Sequence, residues 1–220
     1  MKLSRFVSLN RCVSIPTLGR LSSVVCLLAL AGCSLPEAKP DPTRLFLLAG
    51  ATSTGAGPVV APPAAKPALG MRPVTLAAYL RAPSLVAISG GAEVRPVGDA
   101  RWAEPLGDGV ARVVRETLLA QGAVRSVVVF PAPHDAVPEL ELSLRVDACE
   151  GVVHADGSAV ARFVAEWSVQ STTADAKVLF ASRYAPAPSS WDGRDPAALA
   201  QALGAATAGL ADEIAAALTK

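Results

Sequence analysis

Glu139-Leu140-Glu141-Leu142-Ser143-Leu144-Arg145-Val146-Asp147-Ala148 is the stretch that decides the fold. Leu140, Leu142, Leu144, Val146 and Ala148 alternate with Glu139, Glu141, Ser143, Arg145 and Asp147. A period of two excludes a helix and predicts a strand with one buried and one wet face. After a turn at Asp156-Gly157 the pattern recurs: Ala161, Phe163, Ala165, Trp167 and Val169 alternate with Arg162, Val164, Glu166, Ser168 and Gln170. A third run, Val178 to Tyr184, follows the polar stretch from Ser171 to Lys177. Together the three predict an antiparallel meander.

Two helices flank this sheet. Leu106, Val110, Val113, Val114, Thr117 and Leu118 fall at helical spacing, with Pro105 at the first helical position and Gly122 as a stop. Glu104 and Asp108 suit the positive end of its dipole. The last element has Asp195 as N-cap and Pro196 at its first position, then a stripe of Leu199, Leu203, Ala206, Leu210, Ile214, Ala217 and Leu218. Its polar face carries no Lys or Arg before Lys220, so packing on the sheet is favoured over lying on a membrane. Shorter strands are expected at Arg44–Leu48, at Leu85–Ile88 and Glu93–Val97 as a hairpin around Gly90-Gly91, and at Ser126–Phe130. The expected fold class is α/β (α+β): a mixed, largely antiparallel sheet of about five or six strands packed by two main helices in a single domain.

The chain opens with Lys2, Arg5, Arg11 and Arg20 and has no acidic residue before Glu37. An apolar run from Leu21 to Ala31 then leads into Gly32-Cys33. This is the pattern of a secretory signal peptide, with an apolar run shorter than the roughly 20 residues a spanning helix needs. Leu30-Ala31-Gly32-Cys33 resembles the lipobox of bacterial lipoproteins. That resemblance implies cleavage before Cys33, with the cysteine thiol and the new amino terminus acylated. Several acyl chains anchor stably where one is marginal. Ser34, in place of Asp, is what lipoproteins sent on to the outer membrane carry. The domain expectation is a signal peptide at 1–32, a lipidated terminus and spacer at 33–43, and a folded body at 44–220 that includes a disordered Pro- and Gly-rich loop at 50–70.

Removing the leader takes away four basic residues and turns a formal charge of +1 into −3. No basic stripe remains, so nucleic acid is not an expected partner. Cys12 and Cys26 leave with the leader and Cys33 is acylated, leaving Cys149 as the one thiol, with no disulfide and no Cys-x-x-Cys motif. His134 and His154 sit in loops without ligand-spaced partners and are expected to be solvated. Neither a Gly-x-Ser-x-Gly elbow nor a Gly-x-x-x-x-Gly-Lys-Ser/Thr loop is present. Asp147 and Glu150 are close enough in sequence to form a carboxylate pair, but Asp147 falls on the polar face of a strand and Glu150 at its end, so solvation is the expectation for both. No catalytic residue, metal or cofactor is expected.

Arg101-Trp102-Ala103-Glu104-Pro105-Leu106, with the helix that follows, resembles the signature of the ABC-type transport auxiliary lipoprotein family, which includes the paraquat-inducible protein C group. The likeness runs from end to end. It takes in the lipobox, Leu45-Phe46-Leu47-Leu48 as the first strand, Tyr79-Leu80-Arg81-Ala82-Pro83 for a Tyr-Leu-Asp-Arg-Pro-like segment, and the Ala-rich last helix. Arg81-Ala82 stands where the family has Asp-Arg, which puts in doubt any role of that charged pair. The resemblance implies a non-catalytic accessory lipoprotein on the periplasmic face of the outer membrane. Its implied partner is a mammalian-cell-entry (MCE) domain protein in a system moving lipid or other hydrophobic molecules, and self-association is left open. An envelope hydrolase or a pilot lipoprotein of another envelope complex are the alternatives.

Two readings compete for the signature block. In the local one Glu104 caps the helix, Arg101 pairs with it and Trp102 covers the core edge. In the other, Arg101, Trp102 and Glu104, with Tyr79, form a partner-binding surface, since Trp, Tyr and Arg are favoured interface anchors. Trp191, before the last helix, carries the same choice.

Overall fold

The alternating stretch is the central strand of the computed structural model, which describes residues 41–49, 66–131, 137–173 and 175–220. The leader, Cys33, most of the spacer, loop residues 50–65 and His134 lie outside the described residues. In chain order the elements are β1 (Arg44–Phe46), β2 (Ala68–Met71), β3 (Thr75–Leu76), a 3-10 turn (Ala78–Arg81), β4 (Ser84–Ser89), β5 (Glu93–Trp102), α1 (Leu106–Ala120), β6 (Ser126–Val129), β7 (Leu140–Val153), β8 (Ala159–Ser171), β9 (Val178–Tyr184), β10 (Ser189–Trp191) and α2 (Pro196–Leu218). Residues Pro42–Lys220 form one compact unit.

The expected α/β class holds, with a mixed sheet and two helices. The described strands number ten rather than five or six, because the extra ones are pieces of two to four residues that no periodicity can announce. β7 organises them. Its one edge pairs antiparallel with β8 along its length, from Leu140 opposite Ser171 to Val153 opposite Ala159. Its other edge carries β2, β3 and β4 in parallel, opposite Leu140–Leu142, Arg145–Val146 and Gly151–Val153 respectively. One stretch of chain thus runs along β7 in three pieces, and the 3-10 turn loops out between the second and third. β5 and then β1 extend the sheet beyond β4, β6 flanks β2, and β9 and β10 pair with β8.

β2 corrects one expectation. Residues 68–70, assigned to the disordered loop, are buried strand between β6 and β7. Gly70 permits this: a Cβ there would meet the Phe130 ring at 2.6 Å and Pro138 at 2.8 Å. Ala68 N–H also donates to Glu139 Oε2 at 2.5 Å, tying the strand start to β7.

Both helices pack on the sheet. α1 buries Leu106, Val110, Val113, Val114 and Leu118, and Gly122, at φ 61°, follows its end. In α2 the Asp195 carboxylate accepts the Ala197 N–H at 2.9 Å, the expected cap, and Pro196 opens the helix. Leu199, Leu203, Leu210 and Ile214 are each no more than 1% exposed. Gly204 marks where α2 meets the chain leaving β1, since a Cβ there would collide with the Ala49 carbonyl. In a free helix Gly→Ala gains up to about 1 kcal/mol. Here overpacking against backbone reverses the sign, and Gly204→Ala is expected to cost about 1–3 kcal/mol, read from the urea midpoint.

Candidate functional site

The site begins with an irregularity in β7. Register with β8 shifts between Val146 and Ala148, leaving Asp147 as a bulge residue. Before the bulge Val146 faces Ala165, while beyond it Cys149 faces Phe163 and Glu150 faces Arg162. Cys149 therefore takes the core position that strict alternation assigns to Ala148. Glu150 moves to the opposite face, where it is wholly buried.

The burial is compensated. Arg162 donates to Glu150 Oε1 from Nε at 2.7 Å and from Nη2 at 2.6 Å. The Cys149 N–H donates to Oε2 at 2.7 Å, and the Tyr79 hydroxyl donates to the same oxygen at 2.8 Å, with the Asp147 carbonyl 3.1 Å away. Burial and then the Glu150 carboxylate push the Tyr79 hydroxyl upward from its ordinary range, so it remains a donor. Solvation of Glu150 is thereby corrected. A carboxylate can be this deep only with a cation and several donors around it. Tyr79 uses the arrangement to fasten the 3-10 turn onto the bulge.

The signature block is fastened to the segment that follows this turn. Trp102, at the end of β5, is 7% exposed, and its N–H donates to the Pro83 carbonyl at 2.7 Å. Ala103 N–H donates to the Phe46 carbonyl of β1 at 2.8 Å. Glu104 is not a cap: Pro105 holds the N-cap position and no side chain bonds there. Glu104 instead reaches Arg112, with Nη2 at 2.6 Å and Nε at 3.1 Å, while Arg112 also donates to the Leu48 carbonyl at 2.9 Å. The Glu104 hydrogen bond holds the Arg112 guanidinium above its ordinary range. Arg101 is exposed and makes no ion pair among the described residues, so the expected Arg101–Glu104 pair is replaced by Arg112–Glu104. Gly109 makes room for it, with a Cβ there 3.1 Å from Glu104 Oε1.

Trp191 is 6% exposed and packs its ring over Gly151, where a Cβ would collide with it. Its indole N–H donates to the Asp195 carbonyl at 2.7 Å, which seats the start of α2 against β7. The structure therefore places Tyr79, Trp102, Glu104 and Trp191 in internal contacts and leaves Arg101 at the surface. Arg112 and Arg162 are not singled out by the sequence, and Glu150 enters there only as a solvated carboxylate. The one available signal was the charge facing charge across β7 and β8, which becomes visible only with the bulge in register.

Burial, then Glu150, push the Cys149 thiol upward and away from the thiolate form. His154 is exposed in the β7–β8 turn, as expected. A cavity of about 570 Å³ on the sheet face is lined by Ser143, Arg145, Glu166, Ser168 and Arg183 among others, and no histidine or cysteine lines it. Among the described residues no group of His, Cys, Asp or Glu is placed to hold a metal ion, and no helix is long and apolar enough to cross a membrane.

Comparison with known proteins bears on the whole domain. The crystal structure of protein XCC0632 from Xanthomonas campestris has a TM-score of 0.60 at 18% identity, covering 71% of this chain and 87% of that one. A crystal structure of an uncharacterized protein has a TM-score of 0.57 at 16% identity, covering 79% and 97%. At these identities the likeness shows the shared fold alone. No match is found among curated proteins. The model of the family described as ABC-type transport auxiliary lipoprotein component matches residues 50–215, from before β2 to the last turns of α2. The match spans the 3-10 turn, the signature block and the β7 bulge, and the chain belongs to the ABC-type transport auxiliary lipoprotein component family.

Proposed function

We propose that the chain is a non-catalytic lipoprotein of the outer membrane that serves, from its periplasmic face, an ABC/MCE-type system moving lipid or another hydrophobic solute between membranes. The observation that carries this reading is the family match over residues 50–215. The sequence supports the rest: a signal peptide at 1–32, acylation of Cys33, Ser34 as the sorting residue, a spacer to residue 43 and a folded body beyond. The partner is an MCE-domain protein. Arg101, exposed beside the buried Trp102, is the contact residue of the signature block, which Trp102 and Glu104 hold in shape, while Tyr79 and Trp191 hold the β7 bulge and the start of α2.

The anchor is tested by labelling cells with radioactive palmitate and separating their membranes by density. The expected result is a labelled protein in the outer-membrane fraction, with Cys33→Ala unlabelled and Ser34→Asp retained at the inner membrane. An unlabelled wild-type protein overturns the anchor.

A further inference from the structure

β1 and the residue after it carry an apolar pair that the core does not use. Leu45 is 64% and Leu47 56% exposed, the most exposed leucines among the described residues. Strand alternation sets this: Phe46 packs on the core and Leu48 is 1% exposed, so the two leucines point the other way. β1 pairs with β5 alone, and no strand pairs with its outer edge among the described residues. On the leucine face Arg101 stands opposite Leu45, and Asp99 precedes Arg101 by two residues. Those two charges offset each other, so apolar contact rather than charge decides what this edge meets.

Position in the chain says what lies within reach. Only residues 34–43 separate the acylation site Cys33 from β1. Such a segment spans at most about 35 Å, so β1 is held within that distance of the bilayer surface. A short tether also keeps the local concentration on the order of millimolar, so a contact too weak to hold free protein is populated here. The unpaired backbone of the edge cannot enter hydrocarbon, where nothing hydrogen-bonds it. It suits the headgroup layer, with only the side chains of Leu45 and Leu47 reaching the acyl boundary.

We propose that Leu45 and Leu47 insert into the surface of the same bilayer that holds the acyl anchor, docking the body by its β1 edge. The membrane here is a surface that orients the domain, and Arg101, one strand in from the edge, is left to the protein partner. The proposal rests on the anchor reading and goes beyond it in fixing which edge of the domain faces the membrane.

The test uses the acylated protein purified from membranes and placed in vesicles of phosphatidylethanolamine and phosphatidylglycerol brominated near the headgroup end of their chains. Trp102, Trp167 and Trp191 are each no more than 7% exposed, so a new surface tryptophan reads above a constant background. Leu47→Trp is expected to show at least about twofold quenching of its added emission, as its ring reaches the acyl boundary. Leu179→Trp on β9, separated from β1 by β5, β4, β7 and β8, is expected to keep its emission. Both positions are exposed, so both variants are expected to melt with the wild type, confirmed by their thermal transitions. Adding Leu45→Ser to Leu47→Trp is expected to reduce the quenching, and raised salt to leave it unchanged. Flotation of the vesicles reads the anchor separately: protein that fails to float overturns the anchor and this proposal with it. Floating protein in which Leu47→Trp is quenched no more than Leu179→Trp overturns the docking alone. Quenching that salt removes or that Leu45→Ser leaves intact, or a Leu47→Trp emission already shielded in detergent by a second copy, overturns it as well.

Discussion

Trp102→Ala is expected to cost the domain about 3–5 kcal/mol, the range for emptying a buried Trp site. The indole is 7% exposed and belongs to the main core cluster, at the point where β1, β5 and the segment ending in Pro83 converge. Its removal leaves a cavity under backbone held by the Trp102 and Ala103 N–H bonds, which limits collapse. Arg101→Ala, one residue away and exposed, is expected to stay within about 0.5 kcal/mol of wild type. Urea unfolding of both variants, beside capture of a partner, separates the local role from the interface role. An unchanged midpoint for Trp102→Ala contradicts the packing described here.

The second large effect falls on the bulge. Arg162→Met keeps the stem of the side chain and deletes the cation, leaving the wholly buried Glu150 with only the Tyr79 and Cys149 donors. Removing one partner of a buried pair costs about 3–5 kcal/mol. The lower end is expected here, because Arg162 is 43% exposed and solvent already shares in its charge. Tyr79→Phe removes one donor to the same carboxylate and is expected to cost about 1.5–3 kcal/mol. Because Arg162 and Tyr79 act on one group, the double variant should deviate from additivity, and a denaturant double-mutant cycle measures by how much. Strictly additive losses would mean that the three groups do not form one network.

Much of the architecture was legible because alternation and helical spacing report burial directly. β7, β8, β9 and both helices follow from residues such as Leu142, Phe163, Val113 and Leu210, and Asp195 and Gly122 mark helix boundaries by their own chemistry. What was not legible depends on contacts distant in sequence. β2 is short and includes a glycine, and it is buried only because β6 and β7 close on it. The bulge at Asp147 is invisible to a period-two reading, which keeps Ala148 and Glu150 on one face of the strand and puts Cys149 on the other. Arg112 lies eight residues from its carboxylate partner and binds Leu48 from a different strand connection. Tyr79 is read from sequence as a partner contact, whereas its hydrogen-bond partner in the structure lies 71 residues away within the chain.

The most direct test of the account is crosslinking in intact cells, followed by purification of this protein from the membrane fraction and mass spectrometry of what comes with it. The expected result is recovery of an MCE-domain protein, reduced in Cys33→Ala cells and in a charge-reversed Arg101→Glu variant that still folds. Recovery of the protein alone, or with cell-wall factors in place of transport components, would contradict the proposed role.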